Sequence, residues 1–100
     1  MQFTVLVYFK GASHSSTLWE ERLYLIEATS EEAAKEKVKV IGVEQEHSYS
    51  TNTEEVVSWK FDRVDQIQEL EDGVTDGVEL FSRYLTESEA HSIQKSLDEF

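Results

Sequence analysis

Phe3, Val5, Val7 and Phe9 recur at every second position near the start of the chain, and that period is the signature of a pleated strand that turns one face to a core. The tract after it, residues 11–17, is small and polar, with Gly11, Ser13, Ser15 and Ser16. It reads as an exposed hairpin connection. Residues 18–28 then carry Trp19, Leu23 and Leu25 on one side and Tyr24, Ile26 and Ala28 on the other. That pattern suits a central strand covered on both faces.

At Thr29 the period changes. Thr29-Ser30-Glu31-Glu32 fits a capping box in which the hydroxyl and the Glu32 carboxylate satisfy amide donors reciprocally. Ala34, Val38 and Ile41 follow at helical spacing, with Glu31, Lys35, Glu36 and Lys39 on the opposite face. Gly42 is placed to cap the C-terminus. The Glu31 and Lys35 pair adds about 0.3 kcal/mol to an exposed surface.

Thr51-Asn52-Thr53-Glu54 predicts the turn of a second hairpin. Beyond it Val57, Trp59 and Phe61 alternate, whereas Val64, Ile67 and Leu70 step by three. The break near Asp62-Arg63 predicts a bulge or bend. Asp72-Gly73 and Asp76-Gly77 predict a chain reversal, and residues 78–85 are β-prone on both faces and predict another internal strand. Thr86-Glu87-Ser88-Glu89 repeats the capping box, opening a helix whose apolar stripe is Ala90, Ile93, Leu97 and Phe100. That helix is expected to dock on the domain. The fold class is therefore α+β: a mostly antiparallel sheet of about five strands, ordered ββαβββα, with two helices packed on it.

One hundred residues, 39% hydrophobic and 11% aromatic, suffice for one core and not for two. The expectation is a single domain over residues 1–100, with a core at about 2–85 and a C-terminal helix at about 86–98. There is no cysteine, so packing must hold the fold. Residues 1–9 lack the positive region and cleavage site of an export signal, and no stretch reaches the roughly 18 apolar residues of a membrane span. A soluble, cytoplasmic protein is expected. Nine basic residues against 21 acidic ones give a net charge of −12, which repels a phosphate backbone. Nucleic acid is disfavoured as a partner; the acidic surface either attracts a basic protein or simply keeps the domain soluble, and solubility is the better-supported reading of the charge alone.

Trp19-Glu20-Glu21-Arg22, Leu25-Ile26-Glu27-Ala28, Glu46-His47-Ser48-Tyr49, Val57-Ser58-Trp59-Lys60-Phe61 and Asp76-Gly77-Val78-Glu79, in that order and at those intervals, resemble the bacterial domain of unknown function 4288 family. The likeness spans about residues 2–85. The chain departs from the family pattern in lacking a glycine in the turn at 51–55 and in carrying Val78 and Leu80 after Asp76-Gly77. The resemblance implies a small bacterial, cytoplasmic domain. It brings no activity, substrate or catalytic residue.

His47 is the candidate general base, because Glu44, Glu46 and Tyr49 lie near it in sequence. On a strand, however, Glu46 and Ser48 point away from it and only Tyr49 shares its face. A histidine at a strand surface without chemistry is the better-supported reading. His14 precedes Ser15 and Ser16 without a strand-turn-helix elbow. His14, His47 and His91 lack the paired spacings of a zinc site. Asp72, Asp76 and Glu79 do not reproduce a calcium loop, and Glu20, Glu21 and Glu27 are not obvious paired carboxylates of a glycosidase. The glycines at 11, 42, 73 and 77 form no phosphate-binding loop. No metal or cofactor is expected.

The functional expectation is a non-enzymatic, acidic protein-binding domain, in its sharpest form an immunity-type inhibitor of a basic toxin. Trp19, Glu20, Glu21, Glu46, His47, Tyr49, Trp59, Asp76 and Glu79 are the candidate contact residues, the aromatics as anchors and the carboxylates as steering charges. Two alternatives stand beside it. One is a homo-oligomeric accessory module built on a sheet edge or the final helix. The other is a small enzyme or ligand-binding domain with a pocket near His47.

Overall fold

The computed structural model describes residues 1–71 and 73–98, with side chains to Ile93 at the C-terminal end. In chain order the elements are β1 (Gln2–Ala12), β2 (Thr17–Glu27), α1 (Glu31–Glu44), β3 (His47–Ser50), β4 (Val56–Leu70) and α2 (Glu87–Asp98). The strands make one antiparallel sheet in the order β2-β1-β4-β3. The class is α+β as expected, with four strands in the order ββαββα among the described residues.

Paired residues in an antiparallel register share a face, so the register sorts the side chains. Phe3, Val5, Val7 and Phe9 point to the face covered by α1, where they form the core with Ile26, Ala34 and Val38. Each large side chain buried there contributes about 1.5–3 kcal/mol. Thr4 and Leu6, on the back face of β1, are buried as well. β1 is therefore the strand covered on both faces.

The central position predicted for residues 18–28 is corrected, because β2 is an edge strand. Its double-sided apolarity has another cause. Tyr24, Ile26 and Ala28 meet the core beneath α1, while Leu23 and Leu25 line a recess on the back face with Val74 and Leu80. Those two residues also explain the missing fifth strand: residues 78–86 have no regular structure. Apolar side chains expected in a strand are used instead to cross the sheet. Gly73 and Gly77 adopt φ of +70° and +86°, and the amide of Val78 closes a turn on the carbonyl of Thr75 at 3.1 Å. Asp72 lies outside the described residues.

The expected break in β4 occurs. Register shifts between Leu6 and Val7 and between Tyr8 and Phe9 leave Asp65 and Asp62 of β4 without partners on β1. These are β-bulges.

In α1 the stripe is as expected, with Ala34 and Val38 buried and Ile41 packed on the core, but both caps differ. Ser30, not Thr29, is the N-cap, and its hydroxyl accepts from the Ala33 amide at 3.1 Å. That shift places Ala33 where a capping box needs an acid, so Glu32 has no reciprocal role. Gly42 does not end the helix. It lies inside α1, which runs to Glu44 with Gln45 as its C-cap, because a Cβ at Gly42 would strike the Phe61 ring. Glu31 and Lys35 pair at 3.8 Å as anticipated.

At α2 the capping box is formed in full: Glu89 accepts from the Thr86 amide at 3.3 Å, and the Thr86 hydroxyl accepts from the Glu89 amide at 3.3 Å. The expected docking is absent, since α2 packs against no other element among the described residues. Its first turn is held by the local cap, so it forms without a tertiary surface beneath it. The Leu97 side chain and Phe100 lie outside the described residues. No described helix is long and apolar enough to cross a membrane.

Candidate protein-binding surface

β1 ends in Gly11 and Ala12, and the register places Gly11 opposite Leu18 of β2 and Trp59 of β4, which in turn faces His47 of β3. Leu18, Gly11, Trp59 and His47 thus form a row across the whole sheet, on the α1 face. α1 crosses the neighbouring row at Phe61, where Gly42 admits the ring. The Leu18 to His47 row lies beyond it and is left open. Leu18 is 64% exposed and Tyr49, on the same face as His47, is 48% exposed.

Gly11 sets the shape of this surface. A Cβ there would meet the Trp59 ring at 2.6 Å, so the missing side chain lets the indole lie across β1. The Trp59 indole N–H donates to the Tyr49 hydroxyl at 3.5 Å, and His47 stacks on Tyr49 with centroids 6.0 Å apart and planes 23° apart. The rings make one aromatic patch. Phe9 and Phe61 support it from beneath α1 in an edge-to-face pair at 5.7 Å.

His47, Tyr49 and Trp59 therefore do converge, on an exposed surface. The His47 Nδ1–H donates to the Gln45 carbonyl at 3.0 Å. Glu46 is not its orienter: its carboxylate accepts from the Phe61 amide at 2.9 Å and sits 4.0 Å from Lys60. Glu46 extends the β3 ladder past the end of the strand, and that is a structural role.

The remaining candidates scatter. Glu20 binds the Arg22 guanidinium, which lies over the Phe9 ring at 4.2 Å. Trp19 and Glu21 point to the back face, where Glu21 accepts from the Tyr8 hydroxyl at 2.7 Å. That bond, with desolvation and the Glu21 and Asp65 charges, holds the Tyr8 pKa above its usual value, and Arg83 opposes the shift. Asp76 and Glu79 are exposed in the irregular segment before α2. Gly11 and Leu18 were missed as contributors because they read as loop and core. The available signal was a glycine directly after an alternating run, which marks close approach in a strand.

The C-terminal end of α1 borders the patch, where the carbonyl of its C-cap Gln45 meets His47. The last turn of α1 contains no basic residue and ends in exposed Glu44, beside the negative end of the helix dipole. No cluster of acidic residues and histidines suited to a metal occurs among the described residues.

A small antiparallel sheet backed by a helix, with an open aromatic patch at one end, defines the class. The model of the domain of unknown function DUF4288 matches residues 3–82, and the chain belongs to that family. No curated protein and no solved structure matches the chain.

Proposed function

We propose that this domain is a protein-binding module, not an enzyme, and that its partner is a basic protein that sets an arginine or lysine side chain on the Trp59 and Tyr49 patch. The observation that carries the reading is the exposed contact between the Trp59 indole and the Tyr49 hydroxyl, continued by stacked His47. Tryptophan and tyrosine concentrate binding energy at interfaces. A cation over such a ring contributes about 0.5–2 kcal/mol. Glu44 and the C-terminal carbonyls of α1 favour positive charge beside it, and a net charge of −12 steers a basic partner to the surface. The most specific form of this reading is an immunity-type inhibitor that covers the basic active surface of a toxin.

The test is an NMR titration with a short arginine-rich peptide and its glutamate-rich counterpart. The arginine peptide is expected to shift the Trp59 indole and the Tyr49 and His47 amides, to weaken with salt, and to lose at least tenfold in affinity in Trp59→Ala. Shifts confined to other surfaces, or equal binding of the glutamate peptide, would overturn the reading.

A further inference from the structure

Two surfaces of this chain stay exposed among the described residues, and they match. The first is α2, which packs on no other element among the described residues and leaves Ala90 exposed and Ile93 44% exposed. The second is the back face of β2, where Trp19, Leu23 and Leu25 remain 52%, 43% and 54% exposed beside the segment that carries Val74 and Leu80, with Glu21 between Trp19 and Leu23 held by the Tyr8 hydroxyl. From Trp19 to Leu25 this stripe is about 20 Å long. The 12 residues of α2 extend about 18 Å.

Charge agrees with the fit. Lys10 and Lys60 are paired in register beside Trp19 on the back face, with the Lys10 ammonium 5.3 Å from the Trp19 ring centroid. Lys60 reaches Glu46 only at 4.0 Å. This is a cationic spot in a chain of net charge −12. The first turn of α2 carries Glu87 and Glu89.

The path of the chain leads α2 away from its own sheet. After β4 the segment crosses the back face, with Val74 and Leu80 beside Thr4 and Leu23, and then Arg83 acting on Tyr8. No glycine or proline follows Gly77, so the usual devices for turning the helix back are missing. The radius of gyration is 16.5 Å, against about 13 Å for a compact chain of this length.

We infer that α2 docks along the Trp19 to Leu25 stripe of a second copy, and that the exchange is reciprocal, giving a two-fold homodimer. Ala90 and Ile93 pack on the exposed apolar side chains to either side of Glu21, and Glu87 approaches Lys10 and Lys60 of the partner. Reciprocal exchange of an identical element is an economical route to a symmetric dimer. The surface lies on the opposite face from Trp59, so this inference is independent of the one above.

Sedimentation equilibrium of the full chain, Ile93→Glu and Trp19→Ser tests it, with circular dichroism to verify that each variant folds. The full chain is expected at twice 11.6 kDa, and each variant at a dissociation constant at least tenfold higher. A mixture of isotope-labelled and unlabelled chains is expected to give NOEs between Ile93 and Trp19 across the two copies. A single-copy mass at high micromolar concentration, a dimer indifferent to both variants, or Ile93 to Trp19 NOEs within one chain would each overturn the inference.

Discussion

Glu55 accepts from both the hydroxyl and the backbone amide of Ser15, at 2.6 and 2.8 Å, through the same carboxylate oxygen. The contact joins the β1–β2 turn to the β3–β4 turn, 40 residues apart in sequence, at the end of the sheet that carries the aromatic patch.

This clamp makes stability depend on acid. The Ser15 hydroxyl, then Ser13, the Ser15 amide and the His14 charge hold the Glu55 pKa down from 4.5 to about 2. A carboxylate depressed in the folded state stabilises the fold above its unfolded pKa and loses that contribution as pH falls through the folded one. The melting-temperature advantage of the native chain over Glu55→Gln is therefore expected to be constant above pH 4.5 and to vanish by about pH 2. Because the group is at the surface, salt should reduce the advantage. A difference between the two chains that is flat from neutral pH down to pH 2 would show that the clamp is inert.

Gly11 offers a direct handle on the aromatic patch. Placing a methyl there meets Cε2 and Cζ2 of Trp59 at 2.6 Å, so Gly11→Ala must move the indole off β1. Trp59 is only half-buried and can swing outward. Alanine in a strand recovers roughly 0.5–1 kcal/mol of backbone entropy relative to glycine, which offsets much of the overpacking. Global stability is expected to change by less than about 1 kcal/mol. The Trp59 indole resonance should shift strongly and arginine-peptide affinity fall about tenfold, a loss of about 1.4 kcal/mol. Unchanged indole and affinity would mean that the patch does not depend on the indole lying over Gly11.

The sequence made β1, the β3–β4 hairpin, the bulged β4 and α1 legible because each signal was local: alternation at Phe3 to Phe9, turn residues at 51–54, the break after Phe61, the stripe Ala34 to Ile41. Where local pattern and packing diverge, reading failed. Residues 78–85 have strand-like apolarity, yet Leu80 is used on the back face of the sheet beside Thr4, Leu23 and Leu25, a tertiary demand with no period of its own. Gly42 looks like a helix stop and is instead the gap that Phe61 fills. At the candidate site the alternation did place Tyr49 on the face of His47. The part played by Gly11 and Leu18 depends on which strands are neighbours, and strand order is not written in any single segment.

The β3–β4 turn carries a conformation its sequence is ill suited to. Glu54 has φ of +64°, at a turn where the chain lacks a glycine. A side chain in that region costs roughly 1–2 kcal/mol. The turn is held by the Thr51 amide donating to the Glu55 carbonyl at 2.8 Å and by the Thr51 hydroxyl accepting from the Glu55 amide at 3.2 Å, and neither bond involves the Glu54 side chain. Glu54→Gly removes the strain but adds about 0.4–1 kcal/mol of unfolded-state entropy. The net expectation is a gain of about 0.5–1 kcal/mol, or roughly 3–6 °C in melting temperature. Glu54→Asn, which tolerates positive φ without the added freedom of glycine, should gain at least as much. If both variants melt lower than the native chain, the Glu54 side chain itself supports the turn, and the strain argument is wrong.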